Sequence, residues 1–417
     1  MLIRSPSFSE NATIFYPRPL LSAIYSPTMA GIIIRPRSRI LHGHEWVYFS
    51  EVLKAFGTPE DGSVITIKDG KDRLMGSAIY NSKSQIVARR FSRQRQDLDA
   101  DFFLRRIGQA IEYRQRRGVN PQLCRLVWSE SDGLPGVIID RYGDYLVLQT
   151  LTLAMDLRKG LIVDALRELC SPKGIVERND APIRRAEGME SVVGILWGEV
   201  PPTVPIEVQG LRFEVDLVNG QKTGFYLDQL DSYAGVAQWA AGRRVLDCFA
   251  NQGAFALACA KAGAASVRAV EISAECVELI RQNAERNELK VEAIAANVFD
   301  FLNDEERAGK QYDLIVLDPP SFTKSKEKLQ DAMRGYKEIH LRALKLLAPG
   351  GLLATFSCSH HVNDELFREV IADAAVDAKK TLRQLVRFGQ AADHPVIVNL
   401  PETEYLRGYL FELAPGR

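Results

Sequence analysis

A chain of 417 residues is too long for one ordinary hydrophobic core and suits two or three domains. Lys and Arg equal Asp and Glu at 53 each, and no apolar run approaches the ~18 residues that cross a bilayer, so a transmembrane protein is excluded. The six cysteines contain no C-x-x-C pair and the six histidines no metal-ligand spacing, which excludes a disulfide frame or zinc knuckle and fits a reducing, cytoplasmic compartment.

Residues 1–28 carry Pro6, Pro17, Pro19 and Pro27 and lack the unbroken apolar core of a secretory signal. They are expected to be a disordered or mis-started leader, with Met29 as the natural beginning. From residue 29 to 98 the sequence reads as a small β-barrel, with short strands at Ile32–Ile34, Trp46–Phe49, Ser63–Ile67, Met75–Tyr80 and Ile86–Phe91. Asp61-Gly62, Asp69-Gly70 and Asn81-Ser82 punctuate them as turns. Residues 1–117 hold 19 Lys and Arg against 11 Asp and Glu, so the front of a neutral chain is basic and suits a polyanion. Arg89, Arg90, Arg93 and Arg95 are the candidate phosphate contacts.

A helix with apolar positions at Phe102, Phe103, Ile107, Ala110 and Ile111 opens a central α+β unit over 99–203. Its strands are expected at Leu123–Trp128, Val137–Ile139, Tyr145–Leu151 and Gly174–Glu177, with a helix at Arg158–Leu169; a further strand, Arg212–Leu217, falls beyond it. Pro201-Pro202-Thr203-Val204-Pro205 reads as a linker. From 204 to 417 the pattern becomes strand, helix, strand, helix, beginning at Arg244–Cys248 and running through Asp364–Ala378. That alternation predicts a doubly wound parallel sheet covered by helices, with ligands at the carboxyl ends of its strands.

Three strand ends carry polar residues suited to a nucleoside. Val245-Leu246-Asp247-Cys248-Phe249-Ala250-Asn251-Gln252-Gly253 is a strand followed by a tight turn, with Asn251 where a second glycine is usual and Gly253 allowing close backbone approach. Glu271, 24 residues past Asp247, is positioned to accept hydrogen bonds from ribose hydroxyls, and Asn297 to reach an adenine amino group. The G-x-G-x-x-G cradle of a pyrophosphate is missing, which argues against a dinucleotide and leaves a sulfonium cofactor, S-adenosylmethionine. The polar loop from Asn219 to Gln229 precedes the first sheet strand and is expected to fold over that cofactor, with Phe225 stacking and Gln229 hydrogen-bonding.

The chemical half follows at two further strand ends. Asp318-Pro319-Pro320 is a rigid acidic turn, since two prolines fix φ and remove two N–H donors. Cys358, in Phe356-Ser357-Cys358-Ser359, puts a thiol at the neighbouring strand end. Carbon 5 of cytosine is a poor nucleophile until a thiolate adds at carbon 6, so a thiol beside an acidic corner points to pyrimidine methylation. His360 or His361 is expected to raise the thiolate fraction.

From Ile32 onward the chain resembles the PUA-domain-containing ribosomal RNA large-subunit methyltransferases that make 5-methylcytosine. The resemblance rests on His44-Glu45-Trp46-Val47, Glu130-Ser131-Asp132-Gly133-Leu134-Pro135-Gly136, Arg184-Arg185-Ala186-Glu187-Gly188-Met189-Glu190 and Lys222–Gln229. It continues in Leu317–Phe322, Phe356–Ser359 and Gln390-Ala391-Ala392-Asp393-His394-Pro395-Val396. It implies an RNA-docking PUA domain, a central domain and a class I methyltransferase domain using S-adenosylmethionine, acting on large-subunit rRNA. By position the nucleophile falls on Cys358 and the acidic turn on Asp318 and Pro319. Cofactor contacts fall on Asp247, Phe249, Gly253, Glu271 and Asn297. The turn Asn251–Phe255, Asn297 and Leu230 depart from the family pattern. Two other readings keep the fold: guanine N2 or N7 methylation, which needs no thiol, and an RNA-binding assembly factor with an eroded cofactor turn. A homodimer is compatible with every reading.

Overall fold

The computed structural model describes residues 30–220, 223–323 and 326–415, so the expected leader lies outside the described residues. The N-terminal unit is one sheet of β1 (Gly31–Ile34), β2 (Trp46–Val47), β3 (Val52–Phe56), β4 (Val64–Lys68), β5 (Leu74–Tyr80) and β6 (Ala88–Ser92), ordered β2-β6-β5-β4-β1-β3. Ile32, Ile34, Val47, Ile65, Ile67 and Ala78 form its core. Strand β3 escapes the sequence reading because it is an edge strand whose middle residues, Leu53, Lys54 and Ala55, all face solvent.

Helix α1 (Ala100–Arg116) begins where Asp99 accepts the Phe102 amide at 2.8 Å, and buries Phe102, Phe103 and Ile107. It packs against a sheet of β7 (Leu123–Trp128), β8 (Val137–Tyr142), β9 (Tyr145–Thr150), β10 (Gly174–Asn179) and β11 (Val192–Gly198), ordered β11-β10-β9-β8-β7. Between these strands lie α2 (Leu153–Asp156), α3 (Lys159–Cys170) and α4 (Ile183–Ala186). The expected linker is only partly one. Val204 and Pro205 begin β12 (Val204–Val208), which pairs with β13 (Leu211–Val215) through a two-residue turn, Gln209-Gly210, with both φ positive. Both strands of a two-stranded ribbon are edges, so Pro205 costs no ladder hydrogen bond.

The C-terminal unit runs α5 (Leu230–Ala237), β14 (Arg244–Cys248), α6 (Ala254–Lys261), β15 (Ser266–Glu271), α7 (Ala274–Arg286), β16 (Glu292–Ala295) and α8 (Val298–Arg307). It continues with β17 (Tyr312–Leu317), α9 (Leu329–Leu346), β18 (Leu347–Ser357), α10 (Asp364–Asp377), β19 (Leu382–Gly389) and β20 (Arg407–Leu413). Its sheet order is β16-β15-β14-β17-β18-β20-β19, with five parallel strands and β20 and β19 joined antiparallel. The chain steps outward from β14 in one direction and resumes at β17 in the other, so the carboxyl ends of β14 and β17 flank a topological switch point. Strands β17 and β18 are neighbours in register, Leu317 opposite Thr355, which sets Asp318 and Cys358 at adjacent strand ends as expected.

Residues 390–406, between β19 and β20, touch all three units. Glu402 meets His44 of the N-terminal unit at 3.1 Å. Asp393 accepts the Arg125 amide of β7 at 2.8 Å, and its carbonyl accepts from the Arg114 guanidinium of α1. Tyr405 donates to Asp228 at 2.6 Å.

Candidate active site

A cavity of about 590 Å³ opens at the switch point, in the size range of small-molecule sites, roughly 300–1,000 Å³. It is lined by the turn after β14, Glu271 after β15, Asn297 after β16, Asp318 to Ser321 after β17 and Cys358 after β18; Phe225 to Gln229 close it from above. None of the six cysteines is in a disulfide, and of these Cys358 alone lines this cavity.

The β14–α6 turn is bent by alternating left-handed residues: Phe249 at φ +63°, Asn251 at +49° and Gly253 at +83°. Asn251 therefore supplies the conformation a second glycine would have supplied. Phe249 in this region is costly for an aromatic residue, and such strain is held in place by surrounding bonds. Those bonds are the Ala250 amide to the Val270 carbonyl and the Asn251 amide to Glu271 Oε2 at 2.9 Å. Glu271 Oε1 accepts the Ile272 and Ser273 amides at 2.8 and 3.1 Å, so this carboxylate knits the ends of β14 and β15 together at the cavity wall.

Several expected residues stand differently from their assignment. Asp247 is buried and absent from the cavity wall; its Oδ2 accepts the Ala256 amide at 3.0 Å, fastening the start of α6, while Oδ1 is buried without a partner. Burial above all, then Asp318 and Glu271, pushes its pKa well above the carboxylate range. Gly253 does not open the backbone to a ligand. A Cβ there would lie 2.7 Å from Leu257 Cδ1 and 3.2 Å from Ile280, so glycine answers to the packing of α6 on α7 and to its positive φ. Asn297 lines the cavity, but its Oδ1 caps α8 by accepting the Phe299 amide at 2.9 Å, leaving its amide nitrogen for a ligand. Phe225 lines the wall with its ring edge-on to Phe213 and Tyr233.

Gln229 donates to Asp318 Oδ2 at 3.1 Å, and its own Oε1 is buried without a partner. Pro319 and Pro320 line the cavity beside Asp318, whereas Phe322 turns away to pack on Tyr336 with ring centroids 4.7 Å apart. Tyr226, Asp228 and Phe299 also line the cavity and were not singled out by the sequence reading. The first two belong to the polar loop already marked, so only a weighting of every side chain in that loop would have found them.

The segment carrying Cys358 is pinned on both sides: Ser357 Oγ lies 3.0 Å from the Tyr336 hydroxyl, and Arg407 donates to the Ser359 carbonyl. Neither His360 nor His361 lines the cavity. Burial first, then Arg407, holds the His360 pKa down, so the expected imidazolium beside the thiol is disfavoured and Arg407 is the lasting cation near this turn. His340 is deeper still, neutral with a pKa lowered to about 4 by burial; its Nδ1–H donates to the Tyr336 carbonyl.

The arginine expectations divide. Arg90 is corrected: its side chain is 3% exposed and bonded to Glu45 at 2.6 Å and to the His44 carbonyl. Arg89 is corrected as well, since it is paired to Glu130 at 2.7 Å, faces Glu187 and lies under Trp46. Trp46 donates to the same Glu130, so Arg89 joins the first two units while Arg90 is held inside the first, and neither guanidinium stands out toward a phosphate. Arg93 and Arg95 are exposed.

Three carboxylates, Asp228, Glu271 and Asp318, line the cavity with no Lys, Arg or His among the described lining residues. That donor-hungry, anionic lining, with the orphan oxygen of Gln229, fits a sulfonium cation bearing ribose hydroxyls and an amino group. The switch-point cavity, the acidic second strand end and the seven-stranded order define a class I methyltransferase fold.

The sequence agrees with it. Residues 183–395 match the family model of S-adenosylmethionine-dependent methyltransferases, and residues 35–93 that of PUA-like domains. The ribosomal RNA large subunit methyltransferase I of Shigella boydii is 40% identical over 379 residues, covering 89% of this chain and 95% of that protein. Its counterpart in Yersinia pseudotuberculosis is 39% identical over 392 residues, covering 92% and 98%. The chain belongs to this family of S-adenosylmethionine-dependent methyltransferases, and S-adenosylmethionine is its cofactor. The solved structure of SMU.776 complexed with SAH shares the fold, with TM-score 0.81 at 23% identity over 92% of this chain and 100% of that one. Among the described residues no helix is long and apolar enough to cross a membrane, and no cluster of His, Cys, Asp and Glu could hold a metal ion.

Proposed function

We propose that the chain methylates carbon 5 of a cytosine in large-subunit ribosomal RNA through a covalent adduct on Cys358. One observation carries the reading: the single cysteine in the cavity wall shares that wall with Asp318 and with the cofactor turn. Support for the substrate class comes from the relatives, named ribosomal RNA large subunit methyltransferase I, and from the PUA-like match ahead of the catalytic unit.

S-adenosylmethionine supplies the electrophilic methyl. Glu271, Asn297 and Gln229 hold its polar groups, and the carboxylate-lined wall favours its positive charge. The target base leaves its stack at a cost of a few kcal/mol and enters beside Asp318, whose carboxylate, steadied by Gln229, takes the amino edge of the ring. Sγ of Cys358 adds to carbon 6, which makes carbon 5 nucleophilic. After carbon 5 gains the methyl it loses its proton, the C6–S bond breaks, and the electron pair returns to sulfur. Arg407 beside the cysteine turn favours the thiolate at the start and the end of the cycle. Arg93 and Arg95 are the phosphate contacts this reading retains.

Cys358→Ala is expected to lower turnover on rRNA by about 10⁴-fold or more, and to abolish the covalent adduct that the parent enzyme forms with RNA containing 5-fluorocytidine. A Cys358→Ala enzyme that still methylates rRNA would instead support guanine N2 or N7 as the target.

A further inference from the structure

The proposed adduct must shed a proton from carbon 5 before its C–S bond can break, and the described cavity wall holds few groups able to take it. Glu271 accepts three backbone amides and keeps its remaining acceptor capacity for the cofactor. Asp318 is engaged by Gln229 and faces the amino edge of the base in the reading above. No histidine lines the cavity. The hydroxyls of Tyr226 and Tyr233 are driven further from ionisation by burial and by the surrounding carboxylates, so they act as donors.

Asp228 is left. It lines the cavity at 7% exposure, on the short turn Leu227–Gln229 directly ahead of the glutamine that steadies Asp318. Its Oδ2 accepts the Tyr405 hydroxyl at 2.6 Å, and its carbonyl accepts the Ala391 amide at 2.9 Å, so its carboxylate is held from outside the loop. Tyr226, Asp228, Asp318 and Cys358 all line this one cavity, and after burial it is Asp318, Asp228, Cys358 and Cys276 that push the Tyr226 hydroxyl further from ionisation, so base, holder and nucleophile share one wall.

We propose that Asp228 is the general base that removes the carbon-5 proton, an assignment that rests on the cytosine reading. One oxygen of Asp228 takes the proton, the C–H pair becomes the C5–C6 double bond, and the C6–S pair returns to Cys358 as thiolate. The proton then leaves Asp228 for water before the next turnover.

The test is Asp228→Asn on rRNA with ordinary cytosine, followed with a labelled methyl group. The expected result is one methyl transferred per enzyme, a protein–RNA adduct that accumulates without 5-fluorocytidine, and turnover lowered by about 10²-fold or more. S-adenosylmethionine binding, measured by calorimetry, is expected to weaken by about tenfold at most, since one of the three wall carboxylates is neutralised and the other two remain. Tyr405→Phe, which keeps the carboxylate and removes one donor to it, is expected to slow turnover several-fold without accumulating adduct. Asp228→Asn that turns over within a few-fold of the parent, or that no longer binds S-adenosylmethionine, overturns the assignment. So does a Tyr405→Phe enzyme that traps adduct as fully as Asp228→Asn. Failure of the underlying reading looks different: the parent enzyme itself forms no adduct on 5-fluorocytidine RNA.

Discussion

In the N-terminal sheet and at its joint with the second, Arg90 meets Glu45 and Arg89 meets Glu130 and Glu187, while around the cavity Asp228, Glu271 and Asp318 line a wall that has no Lys, Arg or His among its described residues. Both regions are rich in charge, yet they spend it differently. In the first region each arginine is matched, so the pairs act as fasteners, across the joint for Arg89, whose partners lie 41 and 98 positions away, and within the N-terminal unit for Arg90, whose partner lies 45 away. Around the cavity carboxylates gather instead: behind the wall, burial first and then Asp318 and Glu271 push the Asp247 pKa up, and a positively charged ligand suits such a lining. Charge paired across a joint is architecture; carboxylates gathered around a cavity are binding capacity.

Removing a charge should therefore have opposite consequences in the two regions. The largest effect is expected from Arg90→Ala, which strands Glu45 and empties a buried position: about 3–5 kcal/mol of stability should be lost in urea unfolding. A loss below about 1 kcal/mol would mean the N-terminal unit is not held by this pair. Asp247→Asn should instead stabilise the protein near neutral pH, by about 1–2 kcal/mol, because it removes a buried, half-satisfied carboxyl while keeping an acceptor for the Ala256 amide. The sign follows from its raised folded-state pKa. The folded chain holds a proton that the unfolded chain releases near pH 3.8, so the carboxyl's contribution is greatest below that pH and is lost as pH climbs through the folded value. Unfolding measured at several pH values should show a flatter curve for the asparagine variant across that span. The smallest effect belongs to Arg93→Ala, whose side chain is 71% exposed: stability should change by less than about 0.5 kcal/mol. Its RNA affinity should fall, with the salt dependence of binding shallower by about one unit; an unchanged slope would remove Arg93 from the docking face.

The parallel sheet was legible because each of its strands and helices is long enough to show its period, and because function gathers at strand ends that the sequence marks with Asp318, Glu271 and Cys358. The edge elements were not. Strand β3 faces solvent through its middle, and β19 alternates charged and apolar residues against a single neighbour, so neither carries a buried stripe. Asp247 and Gly253 were read as ligand contacts because they sit in the right turn. Which side of a turn a residue faces depends on α7 packing beneath it, and residue order does not state that. Arg89 and Arg90 misled for a related reason: a count of local charge cannot see Glu130 or Glu187 folding back onto it. Asp228 went unnoticed since an acidic residue in a polar loop is ordinary until Tyr405, 177 positions away, closes on it.

The segment 390–406 has a consequence for how the enzyme is made. It fastens Asp228, reaches Arg114 and Arg125 through Asp393, and meets His44 through Glu402, yet ribosomes deliver it after every strand it touches except β20. A nascent chain halted before Gln390 already owns the β14–α6 turn and Cys358 but lacks the prop behind the Leu227–Gln229 turn. A completed cavity thus arrives late in synthesis, and a prematurely released polypeptide has no finished wall behind which to hold its cofactor and substrate.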